Sequence, residues 1–516
     1  MCIRDSGGRV FGLFGILRLA LSQTLHAKES PMPRKSRPSR RKFLQAAAAG
    51  SSFLIMGTKA SGNAKGANNR LRIAVCGLNR RGRAHVGGFT EQENVEVAYL
   101  VDPDARTWPL RKKQIAEKGH DLHTATPIRD IRQALDDPTL DAVTIATPNH
   151  WHSLITIWAA QAGKHVYVEK PMSHDISEGR VAVAAQKKYG VVIQHGTQRR
   201  SNPEIAGLSQ MIKDDEFGRL KIAYGFCCKP RDPLRANAPA TPPAELDWDL
   251  WKGPAVIEEF HNNYVPYNWH WFWNTGNGDL NNQGTHQLDI ARWAIDDDQT
   301  HPTKAMAIGG RFAWDDQGET PNTMFSMVEY PNGQQIFFNV RNVKYEGYER
   351  QIENQYFFED GGKIIGDKYF AKGDEEGEVI KIKDGDVTPG GNWAAFVAAC
   401  RAGDPSMANA DVEVAHRSCV VGHLMNNSYR LGEQVAFNKK AGKFGDNEDA
   451  AEQFGRLHDI MQDGVKVKDG AKYTVGPLLT FDPKKEKFTG EHSKAANKLV
   501  RDPHNPDFEV PTVKTV

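Results

Sequence analysis

Short apolar runs alternate with stretches of helical periodicity along the first half of the chain. The apolar runs predict β-strands at residues 71–76, 95–101, 141–146, 165–168 and 191–194. The periodic stretches between them predict helices at residues 83–89, 153–162 and 176–189. Strands joined by helical crossovers are typical of a parallel, doubly wound sheet. We therefore predict an α/β fold whose first domain covers residues 68–197.

The pattern changes after Thr197. Alternating polar and apolar positions predict mostly antiparallel strands at residues 304–312, 323–330, 334–343, 355–358, 363–365 and 379–382. Helical periodicity returns at residues 284–295, 393–401 and 412–430. These elements predict a second, α+β domain at residues 198–438, built on a large open sheet. Residues 439–516 are rich in Lys, Asp and Gly and predict a surface extension.

Composition and charge narrow the class of protein. The 516 residues are 39% hydrophobic and 25% charged, and no apolar run approaches the ~20 residues of a membrane span. Residues 1–65 hold 12 Lys/Arg and 2 Asp/Glu, so the formal net charge of +2 leaves about −8 on the remainder. A negative body is a poor fit to nucleic-acid phosphates. Six cysteines in so long a chain do not predict a disulfide framework.

Residues 1–65 have the features of an export leader. The motif Ser39-Arg40-Arg41-Lys42-Phe43-Leu44-Gln45 precedes a weakly apolar run at 46–57 and then small residues. This order is typical of a twin-arginine signal, and a basic patch before a short core helix is the alternative. The twin-arginine pathway carries folded proteins, often with a cofactor in place. We therefore expect a periplasmic or otherwise exported protein that holds its cofactor tightly.

A glycine-containing turn between the first strand and its helix predicts a dinucleotide site. The turn is Gly77-Leu78-Asn79-Arg80-Arg81-Gly82, and Asn79 stands where the dinucleotide fingerprint has its second glycine. A pyrophosphate would meet the free N–H groups at the start of the helix. Asp102 ends the second strand, where a carboxylate binds a ribose diol and favours NAD. An ordinary turn, and NADP held by Arg80 or Arg81, are the alternatives.

Two further loops follow strands at the carboxyl edge of the predicted sheet, where ligands bind in this kind of fold. The expected cofactor contacts from these loops and from the segment after the last strand are Thr147, Pro148, Asn149, His152, Glu169, Lys170 and Gln198. Lys170 at a strand end can stabilise an alkoxide or donate a proton once its pKa is lowered. Pairing with Glu169 at the surface is the alternative. The histidines of the first loop lack nearby carboxylates or cysteines, so no metal site is predicted.

The motifs taken together resemble the Gfo/Idh/MocA family, which includes glucose-fructose oxidoreductase and inositol dehydrogenase. The matching motifs are the turn after Cys76, the loop 146–152, Glu169-Lys170-Pro171 and Gly284-x-His286-x-x-Asp289. The resemblance covers about residues 68–438. It implies a Rossmann domain, a C-terminal domain with an open sheet that often builds homo-oligomers, and NAD or NADP as cofactor. It also implies that Lys170 is the catalytic lysine and His286 the acid/base histidine.

One position departs from this family pattern. Sugar and inositol dehydrogenases of the family commonly have an Asp four residues before the histidine, and this chain has Asn282 there. An amide can orient a substrate hydroxyl but cannot relay a proton at neutral pH. We therefore expect proton transfer at His286, oriented by Asp289 one helical turn away. A helix pair without chemistry is the alternative for these two residues.

Five of the eleven tryptophans lie within 26 residues, at positions 248, 251, 269, 271 and 273. Aromatic faces flanked by amides suit a carbohydrate, whose C–H faces stack on the rings while its hydroxyls form hydrogen bonds. A domain or subunit interface is the alternative. Besides Lys170 and His286, the expected substrate contacts are Trp271, Asn282 and Arg199, which follows the last strand of the first domain.

These residues predict an exported NAD(P)-dependent oxidoreductase that acts on a secondary alcohol of a sugar, polyol or glycoside. We expect a small carbohydrate or polyol as its partner, a homo-oligomer, no nucleic acid and no membrane span. Two alternatives remain open. One is an NAD-dependent glycosidase that works by transient oxidation and elimination. The other is a catalytically degenerate sugar-binding or scaffold protein, which Asn79 and Asn282 would favour.

Overall fold

The computed structural model describes residues 70–118 and 125–516, so the expected leader lies outside the described residues. The described residues belong to one compact unit that spans 60–516. None of their helices is both long enough and apolar enough to cross a membrane.

The first domain contains a six-stranded, fully parallel sheet. Its strands are β1 Leu71–Cys76, β2 Val95–Val101, β3 Thr126–Ile128, β4 Ala142–Ile145, β5 His165–Val168 and β6 Ile193–His195. The spatial order is β3-β2-β1-β4-β5-β6, so the direction of winding reverses between β1 and β4 and opens a crevice at the carboxyl edge. The predicted doubly wound sheet is confirmed. Strand β3 was not predicted, because three half-exposed residues around Pro127 carry no apolar run.

Helices cover both faces of this sheet. They are α1 Arg80–Thr90, α2 Trp108–Glu117, α3 Arg132–Leu135, α4 Asn149–Gln161 and α5 Ile176–Tyr189. Helix α1 begins at Arg80, three residues before the predicted start, because the turn after β1 leads directly into the helix. Helix α4 likewise begins immediately after Pro148. Five of the residues expected to bind the cofactor, namely Arg80, Arg81, Gly82, Asn149 and His152, therefore lie at the starts of these two helices.

The second domain begins with helix α6 and is built around one large sheet. Its helices are α6 Pro203–Lys213, α7 Trp248–Lys252, α8 Gly278–Asn282, α9 Thr285–Trp293, α10 Gly391–Ala402, α11 Val412–Arg430, α12 Glu448–Asp459 and α13 Ser493–Ala496. Its strands are β7 Leu220–Cys228, β8 Lys304–Gly310, β9 Thr323–Glu329, β10 Gln335–Arg341, β11 Asn354–Phe358, β12 Lys363–Ile365, β13 Lys368–Phe370, β14 Glu378–Val379, β15 Glu433–Ala436, β16 Lys472–Val475, β17 Leu479–Asp482 and β18 Lys487–Thr489.

The sheet has twelve strands in the order β14-β13-β12-β11-β7-β10-β9-β8-β16-β15, and β17 and β18 join it at β8. All neighbours are antiparallel except β7 and β10. Helices α9 and α11 pack on one face through Leu288, Val420 and Leu424, against Phe338 and Val340 of the sheet. The predicted large, mostly antiparallel sheet is confirmed, and α9 is thereby fixed beside the crevice of the first domain.

Residues 439–516 are not the surface extension that their composition predicted. Helix α12 and the π-helical turn Ile460–Val465 that continues it cover the other face of the large sheet, where Phe454, Leu457 and Met461 pack with Phe325 and Phe337. All five side chains are at most 1% exposed. The apolar residues of α12 are spaced along a single face, and the Glu, Asp and Arg residues of the same helix obscured that face in the composition.

Two later segments return to the first domain. Helix α10 packs on its sheet through Phe396, beside Phe89 and Tyr167. Val510 and Val516 are buried in the cluster beneath α4 and α5. The first domain therefore completes its core with residues from far along the chain.

We expect Phe454→Ala to lower the free energy of unfolding by roughly 3 to 5 kcal/mol, because it removes a fully packed ring and leaves a cavity on the sheet. Chemical denaturation followed by tryptophan fluorescence measures the change. Val513→Ala is the matched control, since the Val513 side chain is 52% exposed. A loss below about 1 kcal/mol for Phe454→Ala would contradict the role assigned to α12.

Candidate active site

A cavity of about 360 Å³ opens at the carboxyl edge of the parallel sheet. Its first wall is the turn after β1, the end of β2 and the loops after β4 and β5. The second wall comes from residues 250–286, which include α8 and the start of α9. A cavity between a doubly wound sheet and a second domain is where ligands bind in this fold.

The turn after β1 approaches the neighbouring strand too closely for a side chain. Gly77 has a φ of +77°, and a Cβ there would lie 2.5 Å from the carbonyl oxygen of Ala146. A Cβ on Gly82 would lie 1.8 Å from the carbonyl oxygen of Gly77. Asn79 caps α1 without using its side chain, so the N–H groups of the first turn remain available to an anion. The turn at Gly77 thus forms a cradle for an anion. Gly82 packs against this cradle and does not line the cavity.

Asp102 closes the cradle at the end of β2. Its carboxylate accepts hydrogen bonds from the Leu78 amide at 2.8 Å and the Asp104 amide at 2.9 Å. Burial raises the pKa of Asp102 to about 6, although the two amide bonds oppose the shift. The carboxylate lines the cavity at the position predicted for binding a ribose diol.

Glu169 organises a network behind the cradle. Its carboxylate accepts hydrogen bonds from Arg81 Nε at 2.6 Å and Gln198 Nε2 at 3.1 Å, and contacts His85 Nε2 at 3.2 Å. Burial favours the neutral acid, but the charge of Arg81 and the contact with His85 hold the pKa of Glu169 well below its usual range. Glu169 is therefore an anion that positions its neighbours.

Two buried polar atoms of the cavity wall support the assignment of a dinucleotide. Arg81 Nη2 and Thr147 Oγ1 have no hydrogen-bond partner among the described residues. Both residues line the cavity beside the cradle of Gly77. A phosphate or ribose oxygen is the kind of partner that these donors need. The residues present therefore fit NAD.

The loop after β4 contributes mainly its backbone and Asn149. His152 lines the cavity, but its Nδ1 lies 2.6 Å from the Pro171 carbonyl and its Nε2 lies 2.9 Å from that of Thr147. The neutral imidazole can donate to one of these two carbonyls, so His152 links the loops after β4 and β5 while it lines the cavity. Pro148 starts the helix, and the side-chain amide of Asn149 is directed towards Asn277, 3.5 Å away.

Lys170 and His286 line the same cavity as Gly77. The Lys170 ammonium donates a hydrogen bond to the carbonyl oxygen of Asn282, which links the loop after β5 to helix α8. Burial lowers the pKa of Lys170, while the charge of Glu169 opposes the change. The structure thus brings together two residues that are more than a hundred positions apart in sequence.

His286 lies in the first turn of α9 and faces this cavity. Burial and the neighbouring charge of Lys170 lower the pKa of His286 to about 3. The imidazole is therefore neutral near pH 7, so it can accept a hydrogen bond or a proton but cannot act as a cationic acid.

Asp289 does not orient His286 as the helical spacing predicted. Its carboxylate is fully buried outside the cavity and accepts hydrogen bonds from Arg200 Nε at 2.9 Å and Ser418 Oγ at 2.7 Å. Arg200 holds the pKa of Asp289 low against the effect of burial. Asp289 therefore joins α9 to the segment after β6 and to α11, and this correction removes it from the catalytic set.

Two predicted substrate contacts also lie elsewhere. Arg199 is exposed to solvent outside the cavity. Trp271 is 2% exposed and packs against the Arg311 guanidinium, whose carbon lies 4.9 Å from the ring centroid. Most of the aromatic run forms a small hydrophobic core of its own. The aromatic side chains of this run that do reach the cavity are Trp251, Tyr267 and Trp269.

An ion pair beneath the second wall was not predicted. Asp279 is fully buried and binds Arg231 through two contacts, at 2.7 and 2.8 Å. The Asn282 side-chain amide donates to the same carboxylate at 3.2 Å. Burial opposes ionisation, but Arg231 lowers the pKa of Asp279 to about 2. Forty-eight residues separate the two partners, so local spacing could not indicate the pair.

A dinucleotide cradle, a carboxylate at the end of β2, and a lysine and a histidine from the two walls of one cavity are the features of an NAD-binding oxidoreductase site. Comparison with known proteins agrees. Residues 71–197 match the oxidoreductase family with an NAD-binding Rossmann fold, and residues 234–461 match the C-terminal alpha/beta domain of that family. The chain therefore belongs to the Gfo/Idh/MocA oxidoreductase family.

Inositol 2-dehydrogenase of Arthrobacter sp. (strain FB24) is 31% identical over 192 residues, which are 37% of this chain and 52% of that protein. Levoglucosan dehydrogenase of Pseudarthrobacter phenanthrenivorans is 29% identical over 221 residues, 40% of this chain and 49% of that protein. The chain thus spans about half the length of these relatives. The WlbA dehydrogenase of Bordetella pertussis, solved with NADH and UDP-GlcNAcA, shares the fold with a TM-score of 0.51 at 20% identity, covering 70% of this chain and 97% of that chain.

We expect Gly77→Ala to weaken NAD binding at least about tenfold, because the added Cβ meets the Ala146 carbonyl and displaces the cradle. Titration of NADH fluorescence measures the dissociation constant. Gly163→Ala is the matched control, since Gly163 has a similar φ of +71° but open space around a Cβ. Equal effects of the two substitutions would contradict a cradle at Gly77.

We expect NAD affinity to fall as the pH drops below about 6. The raised pKa of Asp102, about 6, means that its carboxylate gains a proton there and loses an acceptor for the ribose hydroxyls. Calorimetric titration between about pH 5 and 8 measures the change. Asp102→Asn should bind weakly at every pH and show no such dependence; an unchanged pH dependence in this variant would exclude Asp102 as its source.

Proposed function

We propose that the protein transfers hydride between NAD and a secondary alcohol of a sugar, polyol or glycoside. The observation that carries this proposal is that Lys170 and His286 line the same cavity as the cradle at Gly77 and the carboxylate of Asp102. Inositol and levoglucosan dehydrogenases among the relatives support a polyhydroxylated substrate.

Bound NAD would supply the hydride acceptor, and the side chains of the cavity would handle the substrate oxygen. The Lys170 ammonium would stabilise negative charge on that oxygen, because a donor inside a cavity shielded from water is more effective than one in solvent. The neutral His286 imidazole would accept a hydrogen bond from another hydroxyl of the substrate. Together the two groups would hold the substrate with one donor and one acceptor.

The second wall suits a carbohydrate in shape and polarity. Trp269 is 9% exposed and presents its ring at the cavity, with Tyr267 beside it. The Asn282 amide lies on the same wall. Apolar ring faces next to amides match the C–H faces and hydroxyls of a pyranose or cyclitol.

We also propose that the motif Ser39-Arg40-Arg41 directs export by the twin-arginine pathway, as its sequence context supports. Fusion of residues 1–65 to a reporter that is active only outside the cytoplasm tests this proposal. Arg40→Lys with Arg41→Lys should abolish reporter activity, and an unaffected reporter would exclude the pathway.

We expect Lys170→Ala to lower kcat/KM at least about a hundredfold, because it removes the donor to the substrate oxygen. The measurement is NADH formation with a panel of inositols, monosaccharides and glycosides, with free reducing sugar determined in parallel. Lys187→Ala is the control, since Lys187 is exposed on α5 in the same domain. Wild-type protein that binds NAD and turns over no member of the panel, in either measurement, would contradict the proposed function.

A further inference from the structure

Tyr267 has a hydroxyl group that the sequence motifs did not assign. Its ring lines the cavity together with Lys170 and His286. Two side chains donate to its oxygen: Asn282 Nδ2 at 3.2 Å and Arg231 Nη1 at 3.3 Å. Tyr267 therefore lines the cavity that Lys170 also lines, and its oxygen is held by two donors.

The pattern of hydrogen bonds leaves the Tyr267 proton available. A phenol oxygen has two acceptor positions and one proton. Asn282 and Arg231 occupy the acceptor positions, and no described residue accepts a hydrogen bond from the Tyr267 hydroxyl. The proton is therefore left for a ligand in the cavity that Tyr267 lines.

The other groups near the substrate position are less suited to exchange a proton. Asn282 has no titratable group. Asp279 does not line the cavity, and its oxygens are occupied by Arg231 and by the Asn342 amide at 2.9 Å. His286 can accept a proton only at a cost, since its pKa is about 3 beside Lys170. A base is most effective when its pKa is near the working pH, and this does not describe His286.

The charges around Tyr267 favour its ionised form. Burial alone raises the pKa of Tyr267, but the charge of Arg231 and the Asn282 hydrogen bond outweigh burial and lower it below the usual value. Asp279 opposes them. The charged and titratable groups that face Tyr267 from neighbouring elements are Arg80, whose guanidinium carbon lies 5.0 Å from the ring centroid, Arg231, Asp279, Lys170 and His270.

We propose that Tyr267 is a catalytic residue that exchanges the proton of the substrate hydroxyl. This inference rests on the proposed function. In the direction of oxidation, the O–H bond of the alcohol breaks and its proton forms an O–H bond with the Tyr267 phenolate. The electron pair of the adjacent C–H bond leaves as hydride to NAD, and a carbonyl remains. Asn282 and Arg231 are positioning residues, and Asn282 thereby has a role that an aspartate would not fill.

Kinetics against pH test the assignment. For the wild type, kcat/KM for alcohol oxidation should rise with pH as Tyr267 ionises, whereas loss of the Lys170 proton would make it fall. In Tyr267→Phe the rising limb should disappear and kcat should drop about a hundredfold or more, with NAD affinity unchanged. In Asn282→Ala the rising limb should move to higher pH, because a donor to the phenolate is lost.

Tyr264→Phe is the matched control. Tyr264 is buried in the same segment and is absent from the cavity wall, and burial raises its pKa to about 12. This variant should keep the wild-type pH profile. A Tyr267→Phe enzyme that keeps the rising limb, with kcat within about threefold of wild type (well under 1 kcal/mol), would overturn the proposal while leaving the proposed function intact.

Ultraviolet difference titration of tyrosinate tests the proposal without turnover. One tyrosine of the NAD complex should ionise below the pKa of free tyrosine, and Tyr267→Phe should remove that transition while Tyr264→Phe leaves it. Absence of the transition from the wild-type complex would overturn the role of Tyr267. Presence of the transition in a protein that turns over no alcohol would instead contradict the proposed function alone.

Discussion

The partly buried ammonium of Lys170 sets the electrostatics of the whole cavity. Burial and the charge of Lys170 together lower the pKa of His286, and the neighbouring Glu169 carboxylate favours the charged form of Lys170. Glu169 is in turn held by Arg81 from the turn that cradles the dinucleotide. Cofactor cradle, substrate donor and neutral imidazole are therefore parts of one charge network. Its geometry depends on both domains, because Lys170 is anchored on a carbonyl of α8.

In the second domain, buried polar side chains support the helix that carries this anchor. The Asp279–Arg231 pair lies directly beneath the cavity wall, and Asn282 connects that pair to Tyr267. A buried ion pair contributes little net stability once the loss of hydration is counted. Here the ion pair fixes geometry, because both partners hold side chains of the cavity wall in fixed orientations. Arg200 and Asp289 do the same for α9.

The regular parts of the fold could be predicted from the sequence because apolar periodicity reports burial directly. The resemblance to the Gfo/Idh/MocA family likewise indicated Lys170 and His286 as residues of one site. The prediction for Asp289 was wrong because helical spacing identifies neighbours on one helix, whereas its partner, Arg200, lies 89 residues away. Trp271 was misplaced because an aromatic run does not reveal which rings form a local core. Arg199 was misplaced because a position after a strand does not reveal whether the side chain faces the cavity or the solvent. Helix α12 was missed because average composition conceals an amphipathic face.

The return of residues 508–516 to the first domain affects how the chain is made. Val516 lies in the same buried cluster as Val181, and its carbonyl accepts a hydrogen bond from Lys188, 328 positions earlier. During translation, the nucleotide-binding domain leaves the ribosome long before the residues that cover its α4 and α5 surface have been synthesised. Until those residues are made, an apolar patch of the domain stays exposed, and exposed apolar surface favours chaperone binding or aggregation. Closure of the first domain thus depends on residues that are synthesised more than three hundred positions after its own helices.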